Sequence, residues 1–291
     1  MKPHSFSYES MGTGWSVSIW DQIDSHSFNA LKHEIITLSQ RFDETYSRFI
    51  KTSLVSQLSQ KTGIVSVPLD FIEILQLYFR LYNLSGKKFT PLIGSVLEDL
   101  GYDAQYSLKE KDTIHPVADL DKAVTILDDE TIELHTPCLF DFGALGKGYF
   151  VEKIKSLLSI EGIRKFLVNG SGDIFYQGNG ELISVGLEHP LDTSKVIGII
   201  QLENGALCGS GSNRRSWGKH HHIIDPDSLT STTEIIASWV MADSATIADG
   251  LATALFLVPP EYFQKEFKFE YLLLNKDMKV KRSKGFSAEL Y

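Results

Sequence analysis

Cysteine is scarce, with only Cys138 and Cys208 among 291 residues. A pair this sparse excludes a disulfide framework, and its spacing excludes a CxxC redox or zinc site, so both read as small core thiols. Long apolar runs are missing too. The opening Met1-Lys2-Pro3-His4-Ser5 passes directly into the alternating Phe6, Tyr8 pattern of a strand, without the stretch a signal peptide or membrane span needs. Membrane insertion is therefore not expected, and the chain as written reads as cytoplasmic; a leader ahead of it would make it periplasmic or membrane-anchored. Positive charge is in deficit, 28 Lys and Arg against 37 Asp and Glu, for a net charge of -9. That balance removes any broad attraction to nucleic acid or anionic lipid, so an anionic ligand needs a local device such as a metal ion or a helix N-terminus. Repeats, low-complexity tracts and a Pro/Gly/Ser-rich linker are also absent, and residues 1–291 read as a single composite domain.

What is present is a hydrophobic fraction of 43%, enough for a sizeable core, distributed in two periodicities. Ser5 to Trp20 alternates like a strand around a Met11-Gly12-Thr13-Gly14 interruption. Helical spacing marks Asn29 to Glu44 through Leu31, Ile35, Leu38 and Phe42. It recurs over Asp70 to Ser85, closed by Gly86, and over Gly148 to Ile160, closed by Gly162, while Ala245 to Leu257 reads as a small-residue helix ended by Pro259-Pro260. Ala123 to Leu127 and Thr131 to Leu134 read as a hairpin, and Cys138 to Phe142 as a strand entering a glycine-rich turn. Further strands are expected at Phe166 to Asn169, Ile174 to Gln177, Leu182 to Leu187, Lys195 to Leu202, Ile235 to Met241 and Tyr271 to Leu274. The polar segment from Gly205 to Asp227 reads as loop. Helices mixed with runs of strands, without a strict βαβ rhythm, predict an α+β fold.

Four constellations carry chemistry. Asp141-Phe142-Gly143-Ala144-Leu145-Gly146-Lys147-Gly148-Tyr149 is a glycine-rich turn opening a helix, which lets backbone approach a phosphate or a metal. It is neither a Walker loop nor a dinucleotide fingerprint, and a plain strand-to-helix connection would also look like this. Asp249 and Thr253 lie four residues apart on one helical face, a spacing that suits two hard oxygen ligands for Mg²⁺; a dipole-facing Asp and a back-bonded Thr are the alternative. In His220-His221-His222-Ile223-Ile224-Asp225-Pro226, adjacent side chains cannot all face one point. His222 is expected to enter a site, orienting a phosphate or relaying a proton, while His220 and His221 are expected to be solvated. Finally, Asn169-Gly170-Ser171-Gly172-Asp173 and Gly209-Ser210-Gly211-Ser212 read as turns, for which ordinary hairpin chemistry is a sufficient reason.

Taken in order, these signals resemble the ApbE family of FAD:protein FMN transferases. Met11-Gly12-Thr13 is similar to the family's M-G-T, Thr45-Tyr46-Ser47-Arg48-Phe49 to its S-x-[YF] segment, and Asp141 to Tyr149 to its D-L-G-G-I-A-K-G-Y element. Asn169 to Asp173 resembles N-x-G-G-D, Val185 to Pro190 resembles V-G-I-x-x-P, and Ser210-Gly211 its S-G pair. His222 to Pro226 matches H-I-I-D-P, and Ala248 to Ala254 resembles A-D-A-L-A-T-A. The resemblance implies an ApbE-like, T-fold-like α+β domain with mixed sheets, flanking helices and an FAD cleft. It further implies Mg²⁺, with Mn²⁺ as the alternative, held by Asp249, Thr253 and a backbone carbonyl at Gly146. FAD would be the substrate, contacted by Met11, Gly12, Thr13, Ser47, Gly172, Asp173, Glu188, Ser210 and His222. The catalytic set would be His222, Asp249 and Lys147, Lys147 either steadying an anion or facing solvent. The expected partners are FAD and an acceptor protein carrying a flavinylation motif, with the enzyme a monomer or homodimer.

The chain departs from the pattern at Phe89-Thr90-Pro91-Leu92, where F-D-P-T is frequent, and at Cys208 to Asn213, where A-T-S-G-D-Y is usual. It departs again at Asp227-Ser228-Leu229, in place of R-T-G. The expected reaction is FMN transfer from FAD to a Thr or Ser hydroxyl through a phosphoester bond, with release of AMP. Its rivals are an FAD pyrophosphatase yielding free FMN and AMP, and a non-catalytic FAD-binding protein.

Overall fold

The computed structural model describes residues 2–291. Its main sheet has eight strands in the order His4–Ser10, Thr13–Ile19, Phe166–Gly170, Asp173–Gln177, Asn204–Gly211, Ile235–Ala242, Glu270–Asn275 and Val280–Arg282, every neighbouring pair antiparallel. Strand side chains alternate between faces, and here both faces are covered. Phe175, Ala206, Cys208, Val240, Tyr271 and Leu273 enter the larger core on one side. Ile174, Tyr176, Leu207, Trp239, Leu272 and Leu274 enter a second core on the other.

Three helices supply the larger core. Ser25–Tyr46 buries Leu31, Ile35 and Phe42, Gly146–Ile160 buries Phe150, Val151, Ile154 and Leu158, and Ala245–Ala254 buries Ala248, Leu251 and Ala252. The helix Leu69–Leu84 joins them, as does a three-stranded sheet ordered Gly63–Ser66, Thr131–Leu134, Val124–Asp128. The second core is closed by another three-stranded sheet, Glu289–Leu290, Val196–Leu202 and Ile183–Glu188, through Leu187, Ile200 and Leu202. The predicted α+β class is the observed one, and strands from both ends of the chain share the main sheet. None of the described helices is long and apolar enough to cross a membrane. Both cysteines are buried and unbridged.

Three expectations fail. Asn204–Gly211 is not loop but a central strand, paired on both edges with Asp173–Gln177 and Ile235–Ala242. Its Gly, Ala, Cys and Ser residues lack the branched pattern of a strand, yet the packing at Gly209 is tight: a Cβ there would sit 3.1 Å from the Trp239 ring. The supposed Gly209 to Ser212 turn therefore belongs mostly to that strand. Cys138 to Phe142 forms no ladder; it is a buried extended segment, with the Asp141 N–H donating to the Pro91 carbonyl at 2.7 Å. His220 and His221 are not solvated. His220 is buried beside Glu110 at 3.2 Å, and His221 is half-buried against the Thr232 carbonyl at 2.7 Å.

Two tight turns aim the sheet's ends toward one place. Met11 and Gly12 both have positive φ, 53° and 66°, as a two-residue hairpin between right-twisted strands requires. The Asp43 carboxylate holds that turn, accepting from the Met11 N–H and the Ser10 hydroxyl, each at 2.8 Å. Ser171 and Gly172 form the equivalent turn, with the Gly172 N–H donating to the Asn169 side chain at 2.9 Å.

Gly148, in the first turn of its helix, lets the Gly146–Ile160 and Ala245–Ala254 helices touch: a Cβ there would lie 2.2 Å from the Ala245 carbonyl oxygen. Gly148→Ala should cost about 2 kcal/mol or more by overpacking against backbone, outweighing its gain of about 1 kcal/mol in helix propensity. Urea unfolding checks this, and an unchanged midpoint would contradict the account.

Candidate active site

The two turns, the start of the Gly146–Ile160 helix and the inner face of the Ala245–Ala254 helix meet around a cleft of about 830 Å³. Gly12, Thr13, Lys147, Gly172, Asp173, Glu188, Ser210, His222, Asp249 and Thr253 all line it. A smaller cavity of about 350 Å³ is lined by Met11, Ser47 and Gly146, and shares Gly12, Asp141, Gly143, Lys147 and Arg215 with the larger one. Every residue of the metal, flavin and catalytic sets that the resemblance implies thus lines one of two adjoining cavities. Gly146 lines the smaller one, and Asp249 and Thr253 line the larger.

At the cleft's centre, the Lys147 ammonium is hydrogen-bonded to Asp173 and lies 3.4 Å from Asp249 Oδ1. The second Asp249 oxygen accepts the Gly148 N–H at 2.8 Å, so the helix N-terminus is already occupied by a carboxylate. Both aspartates are about 1% exposed. Lys147 is therefore not a surface residue. Burial alone would lower its pKa, but the Asp173 and then the Asp249 charges hold it above the usual lysine range. Two carboxylates share this one ammonium, and the shortfall falls on Asp249. Burial first and the Asp173 charge second push Asp249 up to about 7, against the pull of Lys147 and the Gly148 N–H. Near this trio, the Thr253 and Ser210 hydroxyls are 3.0 Å apart.

His222 is half-buried in the cleft wall. Burial, then the positive charge of Arg215, lowers its pKa to about 3, so the ring is neutral at neutral pH. Its Nδ1 is buried without a hydrogen-bond partner.

A model of the ApbE family matches residues 11–270. The chain belongs to the ApbE family. Curated relatives named FAD:protein FMN transferase include one from Treponema pallidum (strain Nichols), 26% identical across 94% of this chain and 85% of its own. Another, from Vibrio cholerae, is 25% identical across 86% and 80%. Among solved structures, the ApbE protein of Thermotoga maritima superposes with a TM-score of 0.84 at 20% identity, and the flavin transferase ApbE of Vibrio cholerae with 0.82 at 23%. Each covers 98% of both chains. These likenesses establish the shared ApbE fold.

Among the described residues, no group of three or more His, Cys, Asp or Glu side chains is arranged to hold a metal ion. The donors this ApbE chain does offer still suit a hard cation: two buried carboxylates with excess negative charge, an Asp173 Oδ1 lacking any partner, and two adjacent hydroxyls.

Sequence reading overlooked two arginines. Arg48 is buried, donating through Nε to Asp141 Oδ2 and through a terminal nitrogen to the Tyr102 carbonyl, both at 2.7 Å. Its guanidinium lies over Phe49 and Tyr102, 4.2 and 4.9 Å from the ring centres. Arg215 lines both cavities. No local spacing signals either role, since Arg48 and Asp141 are 93 residues apart, and Arg215 stands in a polar run between Arg214 and Ser216.

Replacing Lys147 by Met strands two buried carboxylates, and should cost about 3 kcal/mol at pH 8. Because the folded pKa of Asp249 lies above its ordinary value of 3.8, its contribution to stability is fully present below pH 4 and is lost as pH rises through 7. Removing the ammonium deepens that loss. Thermal unfolding from pH 5 to 8 should show the variant's deficit shrinking on acidification; a pH-independent deficit would contradict the assignment.

Proposed function

We propose that this chain transfers FMN from FAD to a Thr or Ser hydroxyl of an acceptor protein. The observation that carries the reading is the gathering, in one cleft, of the buried Asp173–Lys147–Asp249 trio and a neutral, unpartnered His222. The shared name of the curated relatives, matched over most of this chain, supports it.

In this reading the acceptor hydroxyl oxygen bonds to the phosphorus of the FMN half, the bond to the AMP oxygen breaks, and AMP leaves. The hydroxyl proton passes to the His222 imidazole, which in its neutral form keeps one ring nitrogen as an acceptor. Asp249, Thr253 and the Gly146 backbone carbonyl would hold Mg²⁺, or Mn²⁺ in its place, with the unpartnered Asp173 oxygen close by. When bound, the cation supplies charge neutralisation at phosphate oxygens. Lys147 holds the two aspartates in place by bridging them. Met11, Gly12, Thr13, Ser47, Gly172, Glu188 and Ser210 are available to contact FAD from the two cavities.

The test is incubation with FAD, Mg²⁺ and a protein bearing a flavinylation motif, following acceptor mass together with AMP and free FMN. Acceptor gaining one FMN per AMP is the expected result, and Asp249→Ala should abolish both. Free FMN without labelled acceptor would make the chain an FAD pyrophosphatase, and intact bound FAD would make it a binding protein. Near-normal turnover by Asp249→Ala would overturn the role given to that carboxylate.

A further inference from the structure

Five cationic side chains line the two cavities, and four of them are already neutralised. Arg48 pairs with Asp141 at 2.7 Å, Lys88 with Asp225 at 2.9 Å and Asp227 at 3.0 Å, Lys147 with Asp173 and Asp249, and Arg214 with Glu188 at 2.6 Å. Among the described residues, Arg215 alone of the five has no carboxylate within ion-pair distance and no side-chain hydrogen bond. Asp141, whose charge it feels, is already committed: Oδ2 accepts from Arg48 and Oδ1 accepts the Gly143 N–H at 2.8 Å. The helix N-terminus beside the cleft is likewise taken by Asp249.

Arg215 is also held where such a charge can be used. Its carbonyl accepts the His222 N–H at 3.1 Å, which continues the Ser216–Trp217 and His220–His221 hairpin by one more cross-strand pair. Arg215 and His222 therefore sit opposite each other at the hairpin's open end, and both line the larger cleft. The Arg215 guanidinium reaches the glycine-rich turn, one of its nitrogens lying 3.8 Å from where a Gly143 Cβ would be.

We propose that Arg215 is the anion-holding residue of the cleft, its free guanidinium gripping the phosphate oxygens of FAD beside His222. This rests on the transferase reading and deepens it by assigning the phosphate contact to one side chain. A planar guanidinium offers paired donors that match phosphate geometry, and in a protein of net charge -9 an uncompensated cation facing a cavity is the local device an anionic ligand requires. Once the anion is bound, the positive charge that Arg215 imposes on His222 is offset, which favours His222 accepting a proton while substrate is present.

The test compares wild type with Arg215→Gln and Arg215→Lys, titrating FAD, ADP and riboflavin in the presence of Mg²⁺. Riboflavin carries the ring system without phosphate. The expected result for Arg215→Gln is a loss of about tenfold or more in affinity for FAD and ADP, a shallower salt dependence, unchanged riboflavin binding and partial recovery in Arg215→Lys. Thermal midpoints should match wild type, because the backbone bond to His222 does not depend on the side chain. Wild-type FAD affinity in Arg215→Gln, with transfer intact, overturns this assignment and leaves the transferase reading standing. Equal losses for riboflavin and FAD also overturn it, since they indicate a distorted cleft. If wild type itself binds neither FAD nor ADP, the assignment and the transferase reading fail together.

Discussion

The Asp249 carboxylate is the contact on which the arrangement turns. One oxygen takes the Gly148 N–H at the start of the Gly146–Ile160 helix, and the other faces Lys147. That contact exists only because Gly148 has no side chain, since a Cβ would meet the Ala245 carbonyl and Asp249 Cβ at 2.2 and 2.7 Å. Close helix approach and site chemistry therefore have one cause. The glycine that brings two helices together also exposes the backbone donor that orients the carboxylate, and the Ser171-Gly172 hairpin delivers Asp173 to the other side of the same ammonium.

Charge within the cleft is arranged unevenly. Asp173, Lys147 and Asp249 leave an excess of negative charge at one point, while Arg215 leaves an uncompensated positive charge near it. A site with both features suits a ligand that brings a cation and an anion together, as a metal-bound diphosphate does. Burial makes the arrangement strict, because each group is exposed to its neighbours far more than to water. It also separates the two lesser-known histidines from the site: His220 and His221 are used to fasten the loop through Glu110 and the Thr232 carbonyl, leaving His222 as the cleft's imidazole.

Much of this was legible in the chain. Helical spacing found the Ser25–Tyr46, Leu69–Leu84 and Gly146–Ile160 helices to within a few residues, because each repeats its apolar residues over several turns, and a run of small residues ahead of Pro259 marked Ala245–Ala254. The central strand Asn204–Gly211 escaped notice because it is buried on both faces among tight neighbours, where small residues replace the branched ones that ordinarily mark a strand. The motif boxes placed the site residues together, and their sequence order carried that information.

By itself the sequence determined the α+β class, the family resemblance and the candidate residues that the motif boxes name, because each rests on local periodicity or on short motifs that survive as strings of letters. Tertiary structure alone decided which charges are paired and which are free. Arg48 and Arg215 look alike in the chain, yet one is spent on Asp141 and the other faces the cleft unpartnered. The physical reason is that an ion pair depends on distance and burial between residues far apart in sequence, and neither quantity is written in the spacing of either residue.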